Sequence, residues 1–343
     1  MILTVIGARP QFIKAAPVSQ ALQAAGFKEV VLHTGQHFDH EMDRVFFDEL
    51  GMSYPTHNLR AGGQTHASQT AHMLKGVEEA ITELKPSLVL VYGDTNSTLA
   101  AALAAAKMHV PIAHVEAGLR SYNMRMPEEV NRRLTDHVST YLFCPSDAAA
   151  NNLQREGITK GVYVVGDVML DAFHLFHPMA EKRTLPEQLI EPYYLFTLHR
   201  PSNTDDAERL PSIVSALASV NGTVVWPVHP RVKEALTRID IPQNVRLLSP
   251  QPYLSNMRLL MSAKALITDS GGMQKEAYWA KTPCITLREE TEWTETLENG
   301  WNQLVVDPSD LTIAINNTPT SWKPLYGDGQ ASDRIVDILG QIP

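Results

Sequence analysis

The amino-acid sequence predicts an α/β protein with two doubly wound domains, each built on a parallel sheet. Short apolar segments typical of buried strands alternate with segments of helical spacing, and this alternation favours parallel sheets covered by helices on both faces. The alternation stops in a stretch near 174–192 that contains Pro and charged residues, and it begins again afterwards. We therefore expect one domain over residues 1–173 and a second over residues 190–329.

The first domain is expected to contain four strands separated by helices. The predicted strands are, in order, "MILTVIG", "EVVLHTG", "PSLVLVYGD" and "PIAHVEAG". The predicted helices are "QFIKAAPVSQALQAAG", the amphipathic "SQTAHMLKGVEEAITEL" and the Ala-rich "STLAAALAAAKMH". Short apolar runs that end in Gly or Pro are typical of strands, whereas the longer segments carry the helical period.

The second domain repeats this pattern after the linking stretch. Its predicted strands are "YYLFTLH", "GTVVWPVH", "ALITDSGG" and "PCITLR". Its predicted helices are "DDAERLPSIVSALASV", "YLSNMRLLMSA" and "MQKEAYWAK". A second complete set of strands and helices is the reason to expect a second sheet rather than an extension of the first.

Composition and net charge argue against several classes of protein. The 343 residues suffice for two domains, and 44% apolar with 20% charged residues is an ordinary globular balance. The apolar stretches are too short to span a membrane, and the N-terminus is typical of a strand rather than of a signal peptide. The net charge of −9 argues against a broad nucleic-acid-binding surface. Cys144 and Cys284 suit buried thiols in a reduced, cytoplasmic protein, with one disulfide as the alternative.

Polar residues follow several predicted strands at the point where each strand ends. Ligands of open α/β sheets bind beyond the carboxyl ends of the strands. Two domains that each present such an edge favour a small-molecule site in a cleft between them. The candidate residues at these ends are Arg9, Asp94, Glu116, His199, His229, Ser270 and Arg288.

The segment "DSGGMQKEA" at 269–277 predicts a phosphate-binding turn. A strand, then Ser-Gly-Gly, then a helix leaves backbone N–H groups free at the helix N-terminus. Gly271 and Gly272 let a phosphate come close to the backbone. The alternative is a tight turn in which Ser270 caps the helix.

The other strand-end residues also have structural alternatives. Arg9 can form a salt bridge at a helix start, Asp94 can cap the Ala-rich helix that follows it, and His199 can be structural. The segment "GQHFDH", with its two histidines and one aspartate at 37–40, does not predict a metal site, because further ligands of matching type are lacking.

The segment "HVEAGLRSYNMRMPEEVNR" at 114–132 holds three glutamates, Glu116, Glu128 and Glu129. One interpretation is a charged, solvated helix end, and the other is a site that transfers protons. Clustered carboxylates favour the second interpretation, because each raises the pKa of its neighbour and one can then hold a proton near neutral pH.

Eight segments occur in one order along the chain. They are Arg9-Pro10 with Lys14, Gly93-Asp94-Thr95, "HVEAGLRS", "PEEVNR", His199-Arg200, "PVHP", "DSGGMQKEA" and "YGDGQAS". Together they resemble the non-hydrolysing UDP-N-acetylglucosamine 2-epimerases over nearly the whole chain. The ordered set is specific to that family, although single members of it are not.

This resemblance implies two Rossmann-like domains arranged as in the B-type glycosyltransferases, with the active site between them. It implies a C-terminal helix at 330–343 packed on the first domain, a homodimer, and a UDP-sugar substrate without metal, NAD, nucleic acid or membrane. The residues that match catalytic positions are Asp94, Glu116, Glu128 and His199. The residues that match substrate-binding positions are Arg9, Lys14, Ser270, Gly271, Gly272 and Glu276. Arg288 is added to them because it lies at the end of a predicted strand.

The implied reaction interconverts UDP-GlcNAc and UDP-ManNAc by anti elimination of UDP and its re-addition through 2-acetamidoglucal. Two alternatives are a UDP-2,3-diacetamido-2,3-dideoxyglucuronate 2-epimerase of the same family and, more distantly, a B-type glycosyltransferase. The chain has Pro201-Ser202 and Trp293-Thr294 where many members have Arg-Glu and Arg-Pro. Activation by UDP-GlcNAc at a second site, which some members show, therefore stays open.

Overall fold

The computed structural model describes residues 1–36, 47, 49–52, 54–186, 189 and 192–341. The chain forms two compact units, which we call unit 1 (Met1–Leu175 with Tyr326–Pro343) and unit 2 (Phe176–Leu325). Each unit contains a parallel sheet whose strands alternate with helices along the chain. The prediction of an α/β protein with two doubly wound domains is confirmed.

The sheet of unit 1 contains seven parallel strands within the described part of the chain. In chain order they are β1 (Ile2–Ile6), β2 (Glu29–His33), β3 (His57–Asn58), β4 (Leu88–Tyr92), β5 (Ile112–Val115), β6 (Tyr141–Cys144) and β7 (Val162–Val164). Their order across the sheet is β3-β2-β1-β4-β5-β6-β7. The direction of winding reverses between β1 and β4, and a crevice opens beyond the strand ends at such a point.

The helices that begin in unit 1, where the structure describes their bounds, alternate with these strands along the chain. In chain order they are α1 (Arg9–Ala24), α2 (His66–Leu84), α3 (Asn96–Lys107), α4 (Pro127–Val138), α5 (Asp147–Arg155), α6 (Val168–Glu181) and the C-terminal α13 (Ala331–Gly340). Every residue of β1 and β4 is buried, which explains why both strands read as unbroken apolar runs. Burial of one such Val, Leu or Ile side chain contributes about 1.5–3 kcal/mol.

Unit 2 repeats the architecture with six parallel strands among its described residues. They are β8 (Tyr193–Thr197), β9 (Thr223–Pro227), β10 (Val245–Leu248), β11 (Ala265–Thr268), β12 (Cys284–Thr286) and β13 (Asn302–Leu304). Their order is β10-β9-β8-β11-β12-β13, so the winding reverses between β8 and β11. The α-helices that begin in unit 2 are α7 (Pro201–Thr204), α8 (Arg209–Ala216), α9 (Pro230–Lys233), α10 (Tyr253–Ser262), α11 (Gly271–Trp279) and α12 (Leu311–Asn316).

Several short elements were not predicted from the sequence. The strands β3, β6, β7, β10 and β13 contain only two to four residues each, too few to show a period. Helix α4 was also missed as an element, because its segment is dominated by charged and polar side chains. Both cysteines are free and buried, as predicted. No helix within the described ranges is long and apolar enough to cross a membrane.

Candidate active site

The turn after β1 is held by one buried amide side chain, Gln11. Its Oε1 accepts hydrogen bonds from the N–H groups of Gly7 (2.8 Å) and Ala8 (3.1 Å), and its Nε2 donates to the carbonyl of Tyr92 (2.8 Å). Gln11 therefore joins the turn after β1 to the end of β4. These are the two strands at the reversal point of unit 1, where a ligand site is expected.

Glu116 follows β5 and is 7% exposed, and its φ of 71° is a left-handed backbone angle. Such an angle is uncommon for a residue with a side chain and often occurs at functional sites. The Glu116 carboxylate forms an ion pair with Lys14 of α1. A Cβ added to Gly93 would lie 3.2 Å from both Glu116 Oε2 and Lys14 Nζ. The ion pair therefore lies against the turn after β4.

Asp94 is in that same turn, and its side chain is 31% exposed. Its Oδ2 accepts a hydrogen bond from Arg132 Nη2 (2.5 Å), and its carbonyl accepts one from Asn131 Nδ2 (2.9 Å). The alternative in which Asp94 caps the next helix is wrong, because Thr95 is the N-cap of α3 and accepts from the N–H of Thr98. The structure thus brings Asp94 and Glu116 to adjacent strand ends.

The neighbouring glutamates at the start of α4 have opposite environments. Glu128 is exposed, whereas Glu129 is completely buried. Glu129 accepts hydrogen bonds from the N–H of Ser121 (2.9 Å) and from Arg132 Nη1 (2.9 Å). Arg132 therefore bridges Glu129 and Asp94, and Glu129 has a structural role. Glu128 is the member of the pair whose carboxylate is open to solvent.

Arg9 and Lys14, the substrate-binding residues predicted in unit 1, both lie in α1. Arg9 is the first residue of α1 and is half-buried. Lys14, one turn later, is the partner of Glu116. Lys14 is thus in contact with a predicted catalytic residue.

The turn after β8 in unit 2 presents His199. Its Nδ1 lies 2.9 Å from Oδ1 of Asp269, which follows β11 and is completely buried. Burial alone would raise the pKa of Asp269, but the hydrogen bond and charge of His199, with the N–H of Arg200 and the amide of Asn203, lower it. An ionised Asp269 keeps a proton on Nδ1. The other ring nitrogen, Nε2, is then available for a ligand.

Helix α11 begins beside this pair, directly after β11. Ser270 is its N-cap, and the Ser270 hydroxyl accepts from the N–H of Met273 at 3.4 Å. The capping alternative is therefore correct for the hydroxyl, and it leaves the helix N-terminus itself suited to an anion. A Cβ added to Gly272 would meet no atom within 4 Å. The space over Gly272 is therefore open.

Three N–H-bearing side chains approach Gly271. A Cβ added there would lie 3.8 Å from Arg200 Nη2, 3.8 Å from Trp293 Nε1 and 4.0 Å from Arg288 Nη1. Arg288 also donates to Glu292 Oε2 at 2.9 Å. Burial would raise the pKa of Glu292, but Arg288 and Arg200 lower it. Arg200 and Arg288 therefore bring guanidinium N–H donors close to the helix N-terminus, which favours a phosphate group.

Glu276 lies in the same helix and is 5% exposed. Its Oε1 accepts a hydrogen bond from the Tyr253 hydroxyl at 3.0 Å. Burial raises the pKa of Glu276 to about 7, although the Tyr253 hydrogen bond and the charge of Lys275 act in the opposite direction. A carboxylate of this kind accepts hydrogen bonds from ligand hydroxyl groups at neutral or higher pH.

Stability should depend on the ionisation of Glu276. Between the ordinary pKa of a glutamate and about 7, the folded chain binds the proton more tightly than the unfolded chain, so stability falls as pH rises through this window. Glu276→Gln removes this pH-dependent contribution to the free energy of unfolding. We expect the free energy of unfolding of the wild type to fall relative to the variant by at most about 3 kcal/mol between about pH 5 and about pH 8. Urea denaturation over a pH series measures this, and parallel curves for the two proteins would contradict it.

Several site residues were missed by the sequence interpretation because their partners are distant in the chain. They are Gln11, Arg132, Arg200, Tyr253, Asp269 and Trp293. His229 caps the short helix α9 by accepting from the N–H of Arg231, and this agrees with a structural role.

Residues 37–40, with their two histidines and one aspartate, lie outside the described residues. Within the described residues, no group of three or more His, Cys, Asp or Glu side chains is placed to hold a metal ion.

The chain is similar to known proteins over nearly its whole length. Residues 20–340 match the family model of UDP-N-acetylglucosamine 2-epimerase. A UDP-N-acetylglucosamine 2-epimerase homolog of Methanococcus maripaludis is 46% identical over 98% of this chain and 99% of its own. A UDP-2,3-diacetamido-2,3-dideoxy-D-glucuronate 2-epimerase of Pseudomonas aeruginosa is 47% identical over 99% of each chain.

A solved structure agrees with this result. The crystal structure of Methanocaldococcus jannaschii UDP-GlcNAc 2-epimerase in complex with UDP-GlcNAc and UDP superimposes with a TM-score of 0.92. That protein is 40% identical, and the match covers 99% of both chains. The resemblance inferred from the ordered motifs is confirmed.

Proposed function

The chain belongs to the UDP-N-acetylglucosamine 2-epimerase family, and we propose that it is an isomerase that inverts C2 of a UDP-activated 2-acetamido sugar. The proposed substrate is UDP-GlcNAc, with UDP-ManNAc as the product. One observation carries this proposal. Acidic side chains follow β4, at the reversal point of one sheet, and the adjacent strand β5, and a glycine-containing helix N-terminus with two arginines lies at the reversal point of the other sheet.

The reaction needs such groups because the C2 hydrogen of a 2-acetamido sugar is not acidic. No carbonyl group is attached to C2, so removal of the proton as an enolate is not available. Breaking the bond between C1 and the UDP oxygen gives C1 oxocarbenium character and makes the C2 proton far easier to remove. The intermediates are 2-acetamidoglucal and UDP. Re-addition of UDP with protonation on the opposite face then gives the epimer.

Unit 2 is proposed to hold the departing diphosphate. The N–H groups at the start of α11 and the guanidinium groups of Arg200 and Arg288 can stabilise its negative charge. His199, whose Nδ1 faces Asp269, can donate a proton or hydrogen bond from Nε2 to the same group when its ring is in the imidazolium form. Glu276, which accepts a hydrogen bond from Tyr253, is proposed to accept further hydrogen bonds from hydroxyl groups of the nucleotide.

Unit 1 is proposed to transfer the C2 protons. Glu116 is present as a carboxylate ion-paired with Lys14 and is the candidate base for one face of the sugar. Asp94 and the exposed Glu128 are the candidates for returning a proton on the other face. Lys14 pairs with Glu116, and Arg132 pairs with both Asp94 and Glu129.

The second candidate substrate is the UDP-2,3-diacetamido-2,3-dideoxyglucuronic acid named in the Pseudomonas aeruginosa relative. The elimination chemistry is unchanged for this sugar, since its C2 also carries an acetamido group. We propose the same four catalytic residues, Asp94, Glu116, Glu128 and His199, for either sugar.

The test is incubation of the purified protein with each UDP-sugar separately, without any acceptor, followed by separation of the products. We expect the C2 epimer from UDP-GlcNAc at the higher kcat/KM. A higher kcat/KM for the diacetamido uronate would assign the chain to that substrate. No epimer from either sugar would contradict the proposed function.

A homodimer and a cytoplasmic location also remain predictions. The homodimer is supported by the resemblance to the family, and sedimentation equilibrium tests it. A concentration-independent monomer mass would contradict it.

A further inference from the structure

His114 of β5 is completely buried, and both of its ring nitrogens face oxygen atoms. Nδ1 lies 2.8 Å from Oδ1 of Asp136, and Nε2 lies 2.7 Å from the carbonyl oxygen of Gly93. A carbonyl oxygen can only accept hydrogen bonds, and the same holds for an ionised carboxylate. A neutral imidazole has one donor and one acceptor, so it would direct a lone pair at one of these oxygens. Only the imidazolium form satisfies both contacts.

Asp136, the carboxylate that faces His114, belongs to a larger cluster of charged side chains. Asp136 also accepts from Arg120 Nη1 (2.7 Å), and Arg120 in turn forms two hydrogen bonds with Glu156 (2.9 and 2.8 Å). Glu156 lies at the edge of this cluster, where Arg133 Nη2 (3.3 Å) and His137 Nδ1 (4.0 Å) also face it. Cys144 of β6 is a further titratable neighbour of Asp136, and burial raises the pKa of that thiol to about 12. The thiol thus stays neutral.

This cluster holds both turns that carry the proposed acids. The carbonyl that His114 binds belongs to Gly93, the residue directly before Asp94, and Gly93 itself has a φ of 62°. Asp136 accepts the N–H of Gly118 at 3.2 Å, two residues after Glu116. The link from Asp136 through His114 to Gly93 therefore joins the Asp94 turn to the Glu116 turn.

We propose that His114 is a positioning residue of the epimerase, a buried imidazolium that fixes the Asp94 and Glu116 turns relative to each other. The positioning role rests on the proposed function, whereas the protonation state rests on the fold alone. His114 touches no reacting atom in this account. Its loss therefore acts through the placement of the two acids, and a misplacement of about 1 Å costs on the order of 10²-fold in rate.

The first test is nitrogen NMR of protein labelled with ¹⁵N in histidine, over a pH series. The His114 signals are assigned by their loss in His114→Gln. We expect both ring nitrogens to show imidazolium shifts at pH 7 and at pH 8, because both face hydrogen-bond acceptors. A neutral pattern at pH 7 would overturn the proposal, whatever the substrate of the enzyme.

A matched variant makes this test sharper. In Asp136→Asn, the amide oxygen can still accept from Arg120 and Gly118, while its NH₂ group can donate to Nδ1 of a neutral His114. A neutral His114 then still donates from Nε2 to the carbonyl oxygen of Gly93, without carrying a positive charge. We expect His114 to become neutral in this variant near pH 8, and persistence of the imidazolium there would contradict the role of Asp136 as counter-ion.

The second test separates positioning from binding. His114→Gln should lower kcat by about 10²-fold with KM changed by less than about threefold. UDP affinity, measured by calorimetric titration, should be unchanged because the proposed diphosphate site belongs to unit 2. His109→Asn is the control, since His109 is exposed with a φ of 58° that asparagine tolerates. A folded His114→Gln protein with the kcat of the control would overturn the positioning role.

Discussion

Glu116→Gln is expected to lower turnover by about 10²-fold or more, the usual scale for a positioned proton-transfer group. The variant keeps the shape of the side chain and removes the negative charge that faces Lys14. Its amide cannot accept the C2 proton. We expect losses of the same scale for Asp94→Asn and Glu128→Gln, because inversion requires groups on both faces of C2.

The three variants should differ in stability although they share a loss of activity. Glu116→Gln leaves the largely buried Lys14 without its charged partner, so its melting temperature should fall. Glu128 is exposed at the start of α4, so Glu128→Gln should melt like the wild type. The control is Glu79→Gln, in an exposed pair with Lys75 on α2. Near-full activity in folded Glu116→Gln would contradict the proposal that Glu116 is the base that removes the C2 proton.

Gly271→Val is expected to abolish detectable UDP binding, a loss of at least about 10²-fold in affinity. A Cβ at this position has ordinary contacts of 3.8 Å or more in the free protein, so the fold should tolerate it. Its branched methyl groups would instead occupy the space between the helix N-terminus and the two arginines, where a diphosphate must come close to the backbone.

The measurement is calorimetric titration with UDP. Gly340→Val is the matched control, because a Cβ there also meets its nearest atom at 3.8 Å and lies in a different helix. The control should bind UDP normally. Normal UDP affinity in folded Gly271→Val would move the phosphate site away from α11.

The strand-end rule predicted much of the site from sequence. Asp94, His199 and Ser270 follow strands at the two reversal points, and Glu116 follows the neighbouring strand β5, because parallel strands end at one edge of a sheet. The order of the strands could not be read from the sequence, but the glycines and polar residues after each apolar run marked where each strand stops.

The partners of these residues were not predicted, because a pair across a fold leaves no periodic signal. Arg132 lies 38 residues from Asp94, and Asp269 lies 70 residues from His199. Glu128 and Glu129 show a second limit. They are adjacent and identical in type, and only the rotation of α4 about its axis decides which is buried.

In the proposed reaction, the C2 hydrogen leaves the sugar and a different hydrogen returns. A carboxylic acid in an open site exchanges its proton with water, so the returning proton should carry the solvent label. A hydride transfer would return the substrate's own hydrogen.

The most direct measurement is the reaction of the accepted UDP-sugar in heavy water without added NAD, with the product read by proton NMR. We expect the epimer to carry deuterium at C2 and to show no C2 proton signal. Epimer that keeps protium at C2 would contradict the elimination route and the roles of Glu116 and Glu128 together.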